Sequence, residues 1–361
     1  MSHSPAFSWQ GKRVFLTGHT GFKGGWLALW LASKGAIVRG YALDPCTEPN
    51  LFTSAKVGSV IEDIRGDIRN PAALDPALKD FAPEVVFHMA AQPLVRYSYE
   101  DPICTYETNV IGTARVLDAI RRTPSVRAVV SVTTDKCYEN VEDPHHAYRE
   151  TDPLGGYDPY SSSKACAEIV SASYRQSFFP TAKLAEHKVA LATARAGNVI
   201  GGGDWSIDRL IPDLIRAFTA GEPALIRSPH AVRPWQHVLE PLAGYIALAE
   251  HLLSADAARY ATAFNFGPTE DDAQPVSWIV NRMTNFWGDN ASWNLDPNPS
   301  VHEAGYLKLD AGRARAELSW RPRLNLETAL EWLVSWHKAE QSGEHMHAFT
   351  LAQISAYEAL A

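Results

Sequence analysis

Three glycines spaced three apart, Gly18, Gly21 and Gly24, lie between an apolar run and a helical one, and this restricts the fold more than any other feature of the chain. The run Lys12-Arg13-Val14-Phe15-Leu16-Thr17 reads as a short buried strand, and residues 25–32 repeat with helical periodicity. Between them, Gly18 permits a tight turn, Gly21 lets the backbone approach a pyrophosphate, and Gly24 allows the helix to pack closely on a sheet. The helix amino terminus then offers unpaired N–H groups to the anion. A glycine turn can also serve only to join a strand to a helix. Here, however, a second strand follows Gly35 over residues 36–43, which is the context a dinucleotide fold requires. The acid expected at the end of that strand to hold a ribose 2′-hydroxyl comes slightly late, as Asp44. No arginine follows at once to receive a 2′-phosphate, so the pattern leans to NAD over NADP.

Strand and helix patterns alternate onward. Val60-Ile61 precedes Gly66-Asp67-Ile68, residues 84–88 form another buried strand, residues 109–117 an amphipathic helix, and residues 128–132 the next strand. Such alternation implies an α/β fold with a doubly wound parallel sheet. At 361 residues and 46% apolar content the chain can bury a large core and fill two lobes. A net charge of −8 gives no electrostatic footprint for nucleic acid or an anionic membrane, so an anionic ligand must be met by local arginines and lysines. Cys46, Cys104, Cys137 and Cys166 lack paired spacing, and neither a leader nor a long apolar stretch is present, which points to a reducing cytoplasm. Cys137 reads as a small buried hydrophobe. The loop containing His145 and His146 reads as solvated, and no metal site is expected.

After the strand at 128–132 come Thr134-Asp135-Lys136, and Tyr160 and Lys164 follow downstream. The triplet alone is compatible with a polar strand end. Beside a dinucleotide fold, an acid, two amines and a phenol allow proton removal and loss of water in one site.

The runs Thr17–Gly24, Gly66–Arg69, His88–Gln92, Asn109–Thr113 and Tyr160–Lys164 together resemble the extended short-chain dehydrogenase/reductase family. Residues 132–140, 195–205 and 233–238 further resemble its sugar-nucleotide 4,6-dehydratases, in particular the branch acting on CDP-glucose. The resemblance implies a Rossmann-type doubly wound parallel sheet in residues 1–195, carrying NAD and the catalytic residues. Residues 196–361 would form a smaller mixed α/β carboxy-terminal substrate lobe, with chain crossovers between the two. It implies a hydro-lyase in which Gly18, Thr20, Gly21, Phe22, Lys23, Asp67, Ile68, Ala90, Ala91, Gln92, Asn109, Tyr160 and Lys164 hold NAD. Tyr160, kept as phenolate by Lys164 and the nicotinamide charge, would deprotonate the glucose 4-hydroxyl, with Thr134 hydrogen-bonded to that hydroxyl. Lys136 would take the C5 proton and Asp135 protonate the departing 6-hydroxyl. Many related dehydratases carry glutamate at position 136. A lysine base must be partly neutral, so Lys136 acting instead by charge on the enolate stays open.

For the substrate, CDP-glucose on this resemblance, Asn198, Arg209 and Arg233 are the candidate phosphate donors and Tyr306 the candidate at the nucleotide end. Helical patterns at residues 211–218, 242–249 and 326–337 suggest the smaller lobe, with Trp332 and Trp336 as packing residues. Helices around Asn109 and Tyr160 are where the family dimerises, giving a homodimer or a dimer of dimers with no membrane or nucleic-acid partner. The rival readings are a 4-epimerase or decarboxylase of the same fold, which needs Tyr160 and Lys164 but not Asp135 and Lys136, and a non-catalytic nucleotide sensor.

Overall fold

The structure is a computed structural model that describes residues 7–297 and 306–360. Eleven strands are formed in these residues: β1 (Arg13–Thr17), β2 (Ile37–Ala42), β3 (Glu62–Arg65), β4 (Val85–His88), β5 (Ala128–Val132), β6 (Ala190–Ala196), β7 (Val199–Ile200), β8 (Ala224–Ile226), β9 (Gln236–His237), β10 (Ala263–Phe266) and β11 (Trp293–Leu295). Seven build one parallel sheet in the order β10-β6-β5-β4-β1-β2-β3, as the alternating pattern predicts. The order reverses between β1 and β4, and ligands bind such sheets in the crevice beyond the strand ends at that point. The strands alternate between two covered faces. Val14 and Leu16 enter a core with Trp26, Phe87, Val130, Leu242 and Phe266, whereas Phe15 enters one with Tyr41, Leu74, Val86, Leu117 and Ile120.

The helix Pro159–Ser177, which carries the candidate residues Tyr160 and Lys164, starts where its sequence dictates. Asp158 accepts from the Ser161 N–H at 2.8 Å and from Ser161 Oγ at 2.7 Å, and Pro159 occupies the first turn. Tyr160 is thereby fixed in the first turn and Lys164 one turn later. The helix expected over residues 109–117 begins instead as a π-helical stretch, Glu107–Gly112, before Thr113–Arg121 continues as α-helix. The widened turn carries Asn109, whose side chain is tied to two other elements.

A third core unites Ile200, Ile211, Leu214, Trp235, Ile279, Met283, Leu330 and Leu333, while the chain returns to the main sheet as β10. The helix Met346–Glu358 also comes back, its Glu358 accepting from Trp30 Nε1 at 2.8 Å. Trp336 is fully buried with its indole N–H donating to Thr350 of that last helix, and Trp332 packs edge-on to His237. Cys137 is buried as expected, and burial pushes its thiol well up.

Candidate active site

At the end of β1, Gly18 adopts φ +81°, and a Cβ there would lie 2.8 Å from the Ala90 nitrogen. A Cβ on Gly24 would lie 2.1 Å from the Gly18 carbonyl oxygen, so this glycine lets the helix pack against its own turn rather than against the sheet. Gly21 begins the helix Phe22–Ser33 with no side-chain cap and no acid in the first turn, which leaves the first N–H groups for an anion. That cradle fits a dinucleotide pyrophosphate. Thr20 donates to the Leu43 carbonyl at 2.9 Å, and Phe22 faces Gly201. Asp67 clamps Arg69, and Ile68 packs against Gly112. Asp44 is exposed and lies 3.5 Å from Arg65, a cation that β3 supplies and the local sequence conceals.

The loop after β4 is held by a chain of hydroxyls. Met89 and Ala90 N–H groups donate to Thr17 Oγ1, which lies 2.9 Å from His88 Nδ1; His88 Nε2 lies 3.0 Å from Thr113 Oγ1, and Thr113 donates to the Asn109 carbonyl at 2.7 Å. Burial, with the nearby Lys164 charge, draws His88 down to about 3, so it stays neutral. Asn109 accepts from the Gln92 N–H and donates to the Gln92 carbonyl and Ser163 Oγ. Both its amide hydrogens are thus spent on holding the Ala90-Ala91-Gln92 loop to the helix Pro159–Ser177.

Thr134, Asp135 and Tyr160 meet directly. Thr134 Oγ1 donates to Asp135 Oδ1 at 2.8 Å and shares a hydrogen bond with the Tyr160 hydroxyl. Asp135 is 2% exposed and its Oδ2 has no protein partner. Burial raises its pKa against the opposing pull of Lys136, Thr134 and Arg233, which favours the protonated acid. The carboxyl fits only because residue 197 is glycine, where a Cβ would lie 2.5 Å from Oδ2. Lys136, half-buried on the same turn, donates its backbone N–H to Thr134 Oγ1.

Burial pushes Tyr160 up to about 12, with the Thr134 hydrogen bond and the Arg209 charge pulling it down. Burial also draws Lys164 down to about 8, and its Nζ donates to the Val132 carbonyl at 3.4 Å. Lys23 donates to the Tyr245 hydroxyl at 3.1 Å, and desolvation together with the Lys164 and Arg209 charges draws it down to about 7. Tyr245, unnoticed in the sequence, lies in the fields of Asp135 and Tyr160 and is itself raised by burial.

Arg209 pairs with Asp204 at 3.0 Å within the field of Tyr160. Arg233 acts electrostatically on Asp135, and its neighbour Val232 bridges to Tyr306. Tyr306 is exposed, its carbonyl accepting from Asn140 Nδ2 at 3.0 Å. Asn198 ties the loop after β6 to β9, its carbonyl accepting from the Gln236 N–H at 3.1 Å. Beneath the site runs a buried network that sequence reasoning missed: Glu168 with Arg195 at 2.8 Å, Arg195 with the Tyr138 hydroxyl at 2.8 Å, and Tyr138 donating to Asn265 at 2.6 Å. Removing one partner of such a buried pair costs about 3–5 kcal/mol. His146 pairs with Asp152, and among the described residues no cluster suits a metal ion.

Against this geometry stand the relatives. The chain is 53% identical over 349 residues to the CDP-glucose 4,6-dehydratase of Salmonella typhimurium, covering 97% of each chain. It is 25% identical over 351 residues to the dTDP-glucose 4,6-dehydratase of Xanthomonas campestris pv. campestris, covering 91% of this chain and 93% of that one. Among solved structures, the UDP-glucose 4-epimerase of Thermotoga maritima superposes with a TM-score of 0.78 at 19% identity, covering 91% of this chain and 99% of that one. The dTDP-glucose 4,6-dehydratase of Bacillus anthracis superposes with a TM-score of 0.75 at 20% identity, covering 92% and 99%. Residues 14–267 match the NAD dependent epimerase/dehydratase family, and with that match, a full-length relative above half identity and the same sheet, the chain belongs to that family.

Proposed function

We propose that the chain is a CDP-glucose 4,6-dehydratase, converting CDP-glucose to CDP-4-dehydro-6-deoxyglucose and water as a step in deoxysugar and polysaccharide-precursor synthesis. One observation carries the reading: a buried acid, Asp135, is hydrogen-bonded through Thr134 to the phenol of Tyr160. An epimerase has no use for that acid, because it loses no water.

The family's NAD, in the cradle of Gly18, Gly21 and the helix start, supplies reversible hydride acceptance from C4 and return to C6. Thr134 orients the 4-hydroxyl, and Tyr160 removes its proton. Its phenol, near 12 in the unliganded protein, must be brought down by the Lys164 ammonium and the cofactor's positive charge. The 4-ketone acidifies C5, and Lys136 takes that proton; after exchange with solvent, the Lys136 ammonium would protonate C5 again as hydride reaches C6. Asp135 gives its own proton to the 6-hydroxyl, which leaves as water. Arg209, Arg233 and Asn198 are assigned to the phosphates and Tyr306 to the nucleotide end, with residues 196–361 as the main substrate lobe. The enzyme is placed in a reducing cytoplasm, which suits its four free thiols. No helix among the described residues is long and apolar enough to cross a membrane.

Turnover of CDP-, UDP-, dTDP- and GDP-glucose with NAD tests the substrate; CDP-glucose giving the highest kcat/KM is expected, and preference for another base contradicts the assignment. We further assign a homodimer. Ile103 and Ile169, 66% and 56% exposed on the helices Pro102–Tyr106 and Pro159–Ser177, would lie in its interface. Ile103→Asp with Ile169→Asp should give a monomer in sedimentation; an unchanged mass opposes this interface.

A further inference from the structure

We infer that Glu168, one turn beyond Lys164, is a positioning residue of this reaction: it keeps Lys164 charged and locks the strand end that bears Thr134 and Asp135 to the helix that bears Tyr160. The inference rests on the dehydratase reading for its role in turnover, but its geometry stands apart from it. Glu168 is 2% exposed, and every donor it meets belongs to another element. Thr133 at the end of β5 donates to Oε1; Thr193 and Arg195, both on β6, donate to Oε2 at 2.8 Å each. The residue after Thr133 is Thr134, so the carboxylate holds the catalytic turn at a set height above the helix. A carboxylate with three donors remains ionised even when buried. On the same helix face, i and i+4, the Glu168 charge reaches Lys164.

The other groups around these two side chains do not replace it. Cys137 on the catalytic turn is a buried thiol, His88 on β4 is neutral, and Lys23 on the first helix repels the Lys164 ammonium. Arg195 holds Glu168 ionised, and Arg175, two turns along the helix, lies in its field. Glu168 is therefore the anion that offsets part of the desolvation of Lys164, which without it would fall below about 8.

The test is the titration of Lys164 Nζ by NMR in full-length protein labelled with ¹⁵N- and ¹³C-lysine, the resonance assigned with Lys164→Arg. In Glu168→Gln, Lys164 should lose its proton at a pH lower by about one unit. The alkaline limb of kcat for CDP-glucose should move down by the same amount, because the phenolate needs the ammonium. Glu168→Asp keeps the charge but shortens the reach to Thr133; it should leave the titration in place while kcat falls by about ten- to a hundredfold. A Lys164 titration unchanged in Glu168→Gln overturns the proposal. If that variant does not fold because Arg195 is left unpaired, Glu168→Gln with Arg195→Met removes both charges and carries the same expectation and the same refutation. Wild-type protein that shows the titration but does not turn over CDP-glucose would instead sink the dehydratase reading.

Discussion

Asp135 sits where water cannot solvate it, with one oxygen bonded to Thr134 and the other unmet by any protein group. Because burial raises its pKa, the acid form persists to higher pH than for an exposed aspartate, and water loss should decline as pH rises through that value. Asp135→Asn preserves the shape of the side chain. It cannot donate the proton, so water loss should fall by about 10²–10⁴-fold. Removal of the C5 proton is assigned to Lys136, so substrate recovered from the variant in deuterium oxide should still carry deuterium at C5. Loss of exchange together with elimination would mean that Asp135, not Lys136, moves the C5 proton.

At the scale of elements, what could be read from the sequence follows from what each residue type can and cannot do. The turn after β1 was legible because a backbone at φ +81° and a contact of 2.1 Å leave glycine as the residue that fits. Gly24→Ala should therefore disturb the cradle itself, weakening NAD binding by about ten- to a hundredfold in calorimetry, as overpacking of about 1–3 kcal/mol requires. Unchanged affinity would show that the helix start yields. The strands β6 and β10 were harder to see, since Ala190-Leu191-Ala192-Thr193-Ala194-Arg195-Ala196 has the composition of a helix and becomes a strand only between two neighbours. The π-helical turn at Asn109 was not legible at all, because its partners Gln92 and Ser163 come from distant segments. The same holds for Glu168 and Arg195: two common charged residues whose pairing exists only in three dimensions. The triplet Thr134-Asp135-Lys136 was legible as chemistry, but the burial that raises Asp135 and pushes Tyr160 up to about 12 came from the fold.

At the scale of the whole molecule, the large core that ties the first helix to the helix Leu326–Gln341 holds a group that stays uncharged. His237 lies edge-on between Trp26 and Trp332, and burial draws it down to about 3. The unfolded chain binds a proton at this histidine below about pH 6.5, whereas the folded one does not until about pH 3. Its contribution is thus fully present above 6.5 and is lost as pH falls, at about 1.4 kcal/mol per unit. Relative to His237→Asn, the wild type should lose stability with that slope between pH 6 and pH 5 in urea unfolding; parallel profiles would mean that the site accepts the proton. The most direct test of the whole account is the mass spectrum of the product formed from CDP-glucose and NAD in deuterium oxide. A sugar nucleotide lighter by one water and carrying one solvent deuterium at C5 is the predicted result. An isomer of unchanged mass, or a dehydrated product without deuterium at C5, would contradict it.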